Sequence, residues 1–141
     1  MSKPKIYLAG KMQGLSLEDM NGWRQQITNL LLMKTDKSLH IENPVNYYNF
    51  EMDRSQYTDK EVKEFDLWLV KNCDLVIVNL DYPDSIGTAI EIHMASAEWG
   101  IPVIGFGTRE VHPWMELSLT KRCKTMEEAV QYIFDFYLPN L

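Results

Sequence analysis

The chain has 141 residues, 45% of them hydrophobic and 11% aromatic, enough for one domain over 1–141 to bury a sizeable core without disulfides or metals. A formal charge of −6 argues against a nucleic-acid polymer as partner, since gripping phosphates along a strand needs a basic footprint. "MSKPKIYLAG" is too briefly apolar for a signal peptide or a membrane span, and Cys73, Cys123, His40, His93 and His112 follow no ligand spacing. A cytoplasmic protein with free buried thiols, no metal site and no membrane partner is therefore expected.

In chain order, "KIYLAG" (5–10) predicts a short strand ending at glycine. Ser16 with Asp19 then reads as a capping box, and Met20, Trp23, Ile27, Leu30 and Leu31 recur at helical spacing. "SLHIENP" (38–44) predicts a second strand stopped by Pro44, followed by a long polar and aromatic loop, "VNYYNFEMDRSQY". Thr58 and Glu61 cap a helix through Val62, Phe65, Trp68 and Leu69 to about Asn72. "DLVIVNL" (74–80) is continuously apolar, as befits a strand buried on both faces. Ile90, Met94 and Ala97 suggest a helix halted at Gly100, and "IPVIGFG" (101–107) the next buried strand. Thr125 and Glu128 cap a last helix with Ala129, Tyr132, Ile133, Phe136 and Tyr137 on one face.

This alternation predicts an α/β fold: a doubly wound, flavodoxin-like or Rossmann-like parallel sheet of about five strands flanked by helices. Ligands of such sheets bind beyond the carboxyl ends of the strands. The loops after Leu8, Ile41, Leu80 and Phe106 should therefore border one cleft.

Several residues near those loops carry chemistry. "GKMQG" (10–14) matches neither a dinucleotide fingerprint nor a Walker A loop, and no cofactor is expected. Its backbone N–H groups and the Lys11 ammonium suit an anion, although the same residues also serve as a plain turn with an exposed lysine. Asp66 shares a helix face with Val62, Leu69 and Val70, where lost hydration would raise its pKa and suit it to donate a proton; otherwise it reaches out to water from the edge of that stripe. In "PDSIGTAIE" (83–91), Ser85 and Thr88 fit helix capping or a grip on a ligand, and Glu91 opens toward the cleft or merely complements the helix dipole. Tyr47, Tyr48 and Phe50 suit stacking on a planar base or packing into a neighbouring core. His93, among apolar neighbours, reads as packed or at a subunit contact.

Taken together, "IYLAGKMQG", "FDLWLVKNCDLVIVNL", "SIGTAIEIHMA", "GIPVIGF" and "FDFYLPNL" resemble the nucleoside 2-deoxyribosyltransferase family, and within it the branch of 2'-deoxynucleoside 5'-monophosphate N-glycosidases. The resemblance spans nearly the whole chain. It implies that Glu91 attacks the anomeric carbon and forms a covalent glycosyl-enzyme intermediate, that Asp66 handles the proton of the departing base, and that Tyr7 positions the nucleophile. It further implies that Gly10, Lys11, Met12, Gln13 and Gly14, with Ser85, hold a 5'-phosphate, and places Asp84 and Gly87 in the substrate-binding turn.

Three departures stand out. Asp84 is an added residue before the motif, a candidate for a displaced transferase aspartate. His93 replaces a glycine usual two residues after the nucleophile. "HPWM" (112–115) occupies the segment where a neighbouring subunit usually lends an Asn or Ser, which would put His112 at a shared site in a homodimer or higher homo-oligomer. The resulting expectation is an enzyme acting on a small nucleotide or nucleoside, releasing free base from 2'-deoxynucleoside 5'-monophosphates. The alternatives are base exchange between deoxynucleosides, a non-catalytic nucleotide sensor and a flavodoxin-like FMN binder.

Overall fold

The computed structural model describes residues 3–35, 38–48 and 57–141. Five strands, β1 (Lys5–Ala9), β2 (His40–Glu42), β3 (Leu75–Asn79), β4 (Val103–Phe106) and β5 (Lys121–Cys123), form one parallel sheet in the order β2-β1-β3-β4-β5. Every pairing is parallel, with Ile6 beside both Ile41 and Leu75, and Ile77 beside Ile104. The doubly wound sheet expected from the alternation is present.

Strand alternation divides the core in two. Ile6 and Leu8 of β1, with Leu75 and Ile77 of β3, face α1 (Leu17–Lys34) and α5 (Met126–Tyr132), where Ile27, Leu31, Ala129 and Val130 complete one cluster. Tyr7 and Ala9, with Val76 and Val78, face α2 (Asp59–Lys71) and α3 (Ile86–His93) and pack on Leu69, Val70 and Ile92. Both faces of the sheet are thus covered, which is why β3 has no exposed position. Cys73 and Cys123 are buried and unbridged.

The helix starts follow their side-chain caps. Thr58 and Glu61 make the reciprocal capping box, whereas Ser16 and Thr125 each accept only from the backbone three residues on, at Asp19 and Glu128. Some faces differ from the periodicity reading. α3 runs on through a π-turn (Met94–Glu98) and buries Thr88, Ile92 and Ala95, leaving Ile90 and Ala97 exposed; α5 buries Met126, Ala129, Val130 and Ile133, while Phe136 stays exposed. His93 is exposed rather than packed. β5 and the short α4 (Pro113–Glu116) are not foreshadowed in the sequence pattern, each being too brief to show a period. The expected loop begins instead as a short 3-10 helix, Pro44–Tyr47, that buries Val45; the reading of Phe50 and of residues 49–56 lies outside the described residues. Among the described residues no helix is long and apolar enough to cross a membrane.

Candidate active site

β1 sits between β2 and β3, so the chain leaves it toward one side of the sheet and later returns on the other. The loops after β1 and β3 flank this switch point. Lys11, from the first loop, and Asp84, from the second, meet there as an ion pair of 2.7 Å. Between them the C-terminal half of β1 presents Tyr7 toward α2 and α3.

Glu91 belongs to the buried face of α3, because it falls three residues after Thr88 and four before Ala95. It meets β1 there, and the Tyr7 hydroxyl donates a hydrogen bond to Glu91 Oε2. Asp66 reaches the same place from α2, whose Leu69 and Val70 anchor that face in the core. Its Oδ1 accepts from the Tyr48 hydroxyl at 2.7 Å, and its charge acts on both Tyr7 and Glu91. The two acids and Tyr7 therefore share one electrostatic site although 25 residues or more separate each from the next.

Burial raises both carboxyls. Lost hydration pushes Asp66 up to about 6, against the pull of the Tyr48 hydrogen bond and of Arg24. Glu91 goes further, to about 8: lost hydration dominates, the Tyr7 hydrogen bond opposes it, and the neighbouring Asp66 adds to it. The rise at Asp66 follows from its apolar helix neighbours. Both acids are thus biased toward the protonated form, and through the Asp66 charge acting on Glu91 they titrate as a coupled pair. Tyr7 is raised well above the usual phenol range by the same burial and the same carboxylates, so it remains a donor.

The glycine-bracketed loop is a tight turn. Gly14 has φ +80 and Leu15 N–H donates to Met12 O at 3.2 Å, so Gly14 supplies the left-handed position of the turn. Met12 is half-buried, and Gln13 is exposed. Gly10 is buried under α1: a Cβ at Gly10 would stand 2.7 Å from Trp23 Cζ2. Ser85 caps α3, its Oγ accepting from Thr88 N–H at 3.1 Å, and Gly87 lies in the exposed first turn with open space around it. His112 caps α4 by accepting from Trp114 N–H at 3.1 Å.

Next to Asp66, the rings of Tyr47, Tyr48, Tyr57 and Phe65 with Val62 and Glu61 line a depression of about 310 Å³. Tyr47 and Tyr48 both meet Phe65 edge to face, at 5.1 and 6.4 Å between ring centres. Tyr47 is further held by Glu42, to which its hydroxyl donates.

Sequence reading missed Arg24, a fully buried guanidinium on α1. The signal was present. Arg24 occupies a core position in the stripe Met20, Arg24, Ile27, Leu31, where an apolar residue is the ordinary occupant.

No family model matches the sequence, and no curated protein does. Solved structures match in fold. A conserved protein from Enterococcus faecalis V583 superposes with a TM-score of 0.80 at 20% identity, covering 95% of this chain and 99% of that one. The 2-deoxyribosyltransferase from Bacillus psychrosaccharolyticus gives 0.70 at 21% identity over 93% of both chains. A CMP N-glycosidase from Clostridium botulinum, BcmB, gives 0.57 at 21% identity, covering 95% of this chain and 99% of that one.

Proposed function

We propose that the protein is an enzyme that breaks the N-glycosidic bond of 2'-deoxynucleoside 5'-monophosphates and releases the free base. The observation that carries this reading is the meeting of Glu91, its hydrogen-bond donor Tyr7, and Asp66 at the switch point of the sheet. Similarity in fold to a deoxyribosyltransferase and to a CMP N-glycosidase supports the same bond type.

Glu91 carboxylate attacks the anomeric carbon, and the bond from that carbon to the base nitrogen breaks with its electron pair going to the base. Asp66 delivers a proton to the departing base. Water then attacks the anomeric carbon, loses its proton to Asp66, and frees Glu91 as carboxylate. Attack needs Glu91 ionised, and departure needs a proton at Asp66. One proton shared by the coupled pair, held at Asp66 when substrate is bound, satisfies both. Tyr7 stabilises the carboxylate so formed by donating to it. The aromatic depression beside Asp66 suits a planar base, and Lys11 with the turn at Gly10–Gly14 and Ser85 suits the 5'-phosphate.

Glu91→Gln should lower base release from deoxynucleoside monophosphates by roughly a thousandfold or more while substrate binding survives. Chromatography of reaction products and equilibrium binding of the same monophosphates measure the two. A variant as active as the parent, or a parent that neither hydrolyses monophosphates nor exchanges bases, sinks the enzyme reading and favours the nucleotide sensor.

One observation favours base exchange between deoxynucleosides as a second reading. Lys11 already holds Asp84 at 2.7 Å, so an incoming phosphate meets a carboxylate in its place. Mixing a deoxynucleoside with a different free base separates the readings, since exchanged nucleosides form only if a base can replace water in the second step.

A further inference from the structure

Arg24 is the largest fully buried side chain of the described residues, and none of their carboxylates lies within ion-pair distance of it. Burying a guanidinium is unfavourable unless its donors are satisfied. Here they are met by backbone carbonyls: Nε donates to Leu8 O at 3.3 Å, Nη2 to Gly10 O at 3.0 Å, and Nη1 to Met20 O. The guanidinium also lies 4.6 Å from the centre of the Trp23 ring, which itself meets Phe106 edge to face. Two of the three carbonyls belong to the end of β1 and the start of the loop that carries Lys11. A methionine would fill the same core slot without the desolvation cost, so packing alone does not account for arginine.

Charge does. The groups that act on Glu91 are Tyr7 from β1, Asp66 from α2 and Arg24 from α1, and Glu91 acts in turn on Tyr48 in the loop before α2. Arg24 is the one cation among them. With a fixed positive charge whose field reaches both acids, the group of three is neutral when one acid is ionised and the other protonated, the state that nucleophilic attack with proton delivery requires. Without that charge, neutrality requires both acids protonated, and no nucleophile remains.

We infer that Arg24 is a positioning residue that ties the end of β1 and its loop to α1 and supplies the fixed charge keeping one of Glu91 and Asp66 ionised. Its catalytic meaning rests on the glycosidase reading, but its electrostatic part does not.

The test compares Arg24→Gln, which retains amide donors for the carbonyls but no charge, with Arg24→Lys, which retains charge without the planar fork. Carboxyl NMR on protein labelled at glutamate, with Glu91 assigned by its loss in Glu91→Gln, gives the Glu91 titration midpoint without any substrate. In Arg24→Gln the midpoint should rise by about one pH unit or more, and in Arg24→Lys it should stay nearer the parent value. The pH at which base release becomes half-maximal on the acid side should move with it, with a loss of roughly tenfold or more in rate at neutral pH. In the unmutated protein, the Arg24 Nε resonance should shift through the same midpoint and be flat over that range in Glu91→Gln, a measurement that needs no Arg24 variant to fold. An unchanged midpoint in folded Arg24→Gln, equal shifts in Gln and Lys variants, or an Arg24 resonance indifferent to Glu91 each overturns the inference. A shifted midpoint in a protein that releases no base sinks the proposed reaction and leaves this role intact.

Discussion

Asp84 and Lys11 meet at the mouth of the site, and the loops that carry them are otherwise far apart in the chain. Asp84 is exposed, and the Lys11 hydrogen bond holds its carboxyl below the usual carboxylate range. Under the proposed monophosphate reading, a 5'-phosphate would compete with it for the same ammonium. Asp84→Ala should therefore lower the KM for a deoxynucleoside monophosphate by roughly twofold to fivefold at low salt, with the gain fading as salt screens the exposed charges. Steady-state kinetics across ionic strength check this, and a KM that rises instead would make Asp84 a substrate contact. Asp66 and Glu91 were picked out from sequence by residue type and surroundings, whereas Tyr7 came only from the family resemblance. Arg24 was not picked out, although it stands in the stripe Met20, Arg24, Ile27, Leu31; what its charge is for becomes visible only once its carbonyl partners, from β1 and the loop after it, are known.

Between β1 and α1 the contact is close enough to depend on a missing methyl. Trp23 lies over Gly10, and the helix face that Trp23 shares with Arg24 seals the strand end. Gly10→Ala should force the Trp23 ring aside, lowering stability by about 1–3 kcal/mol and loosening the Lys11 loop. Gly22→Ala, on the same helix but with open space at its Cβ, should instead stabilise by about 0.5–1 kcal/mol. Denaturant unfolding of the pair gives both signs; equal effects would mean that close approach at Gly10 is unimportant. Long elements with side-chain caps, such as α1 and α2, were legible in sequence, as was the wholly apolar β3. The buried faces of α3 and α5 were not. Thr88, Ile92 and Ala95, like Met126, Ala129, Val130 and Ile133, keep a regular helical spacing, but apolar residues also occupy a neighbouring face of each helix, so periodicity alone does not select the buried one; β5 is three residues long with exposed Lys121 at its start.

The interior of the whole molecule also sets how its stability responds to pH. Glu91 and Asp66 both have raised folded pKa values, so the stability they contribute is complete below their unfolded values near 4. It is lost as pH climbs through about 6 for Asp66 and about 8 for Glu91. Removing the acid in Glu91→Gln should therefore stabilise the protein relative to the parent by on the order of 2–4 kcal/mol at pH 9 compared with pH 5. Thermal melts of the two proteins should diverge by roughly 5–10 °C over that interval; parallel curves would mean that Glu91 is well hydrated. Composition, alternation and caps determined by themselves that the chain folds as strands and helices around a parallel sheet, because local periodicity and capping are written in neighbouring residues. That both acids are pushed toward their protonated forms was decided only by the tertiary structure: the lost water, the Tyr7 and Tyr48 hydroxyls and the Arg24 charge reach Glu91 and Asp66 from elements distant in the chain.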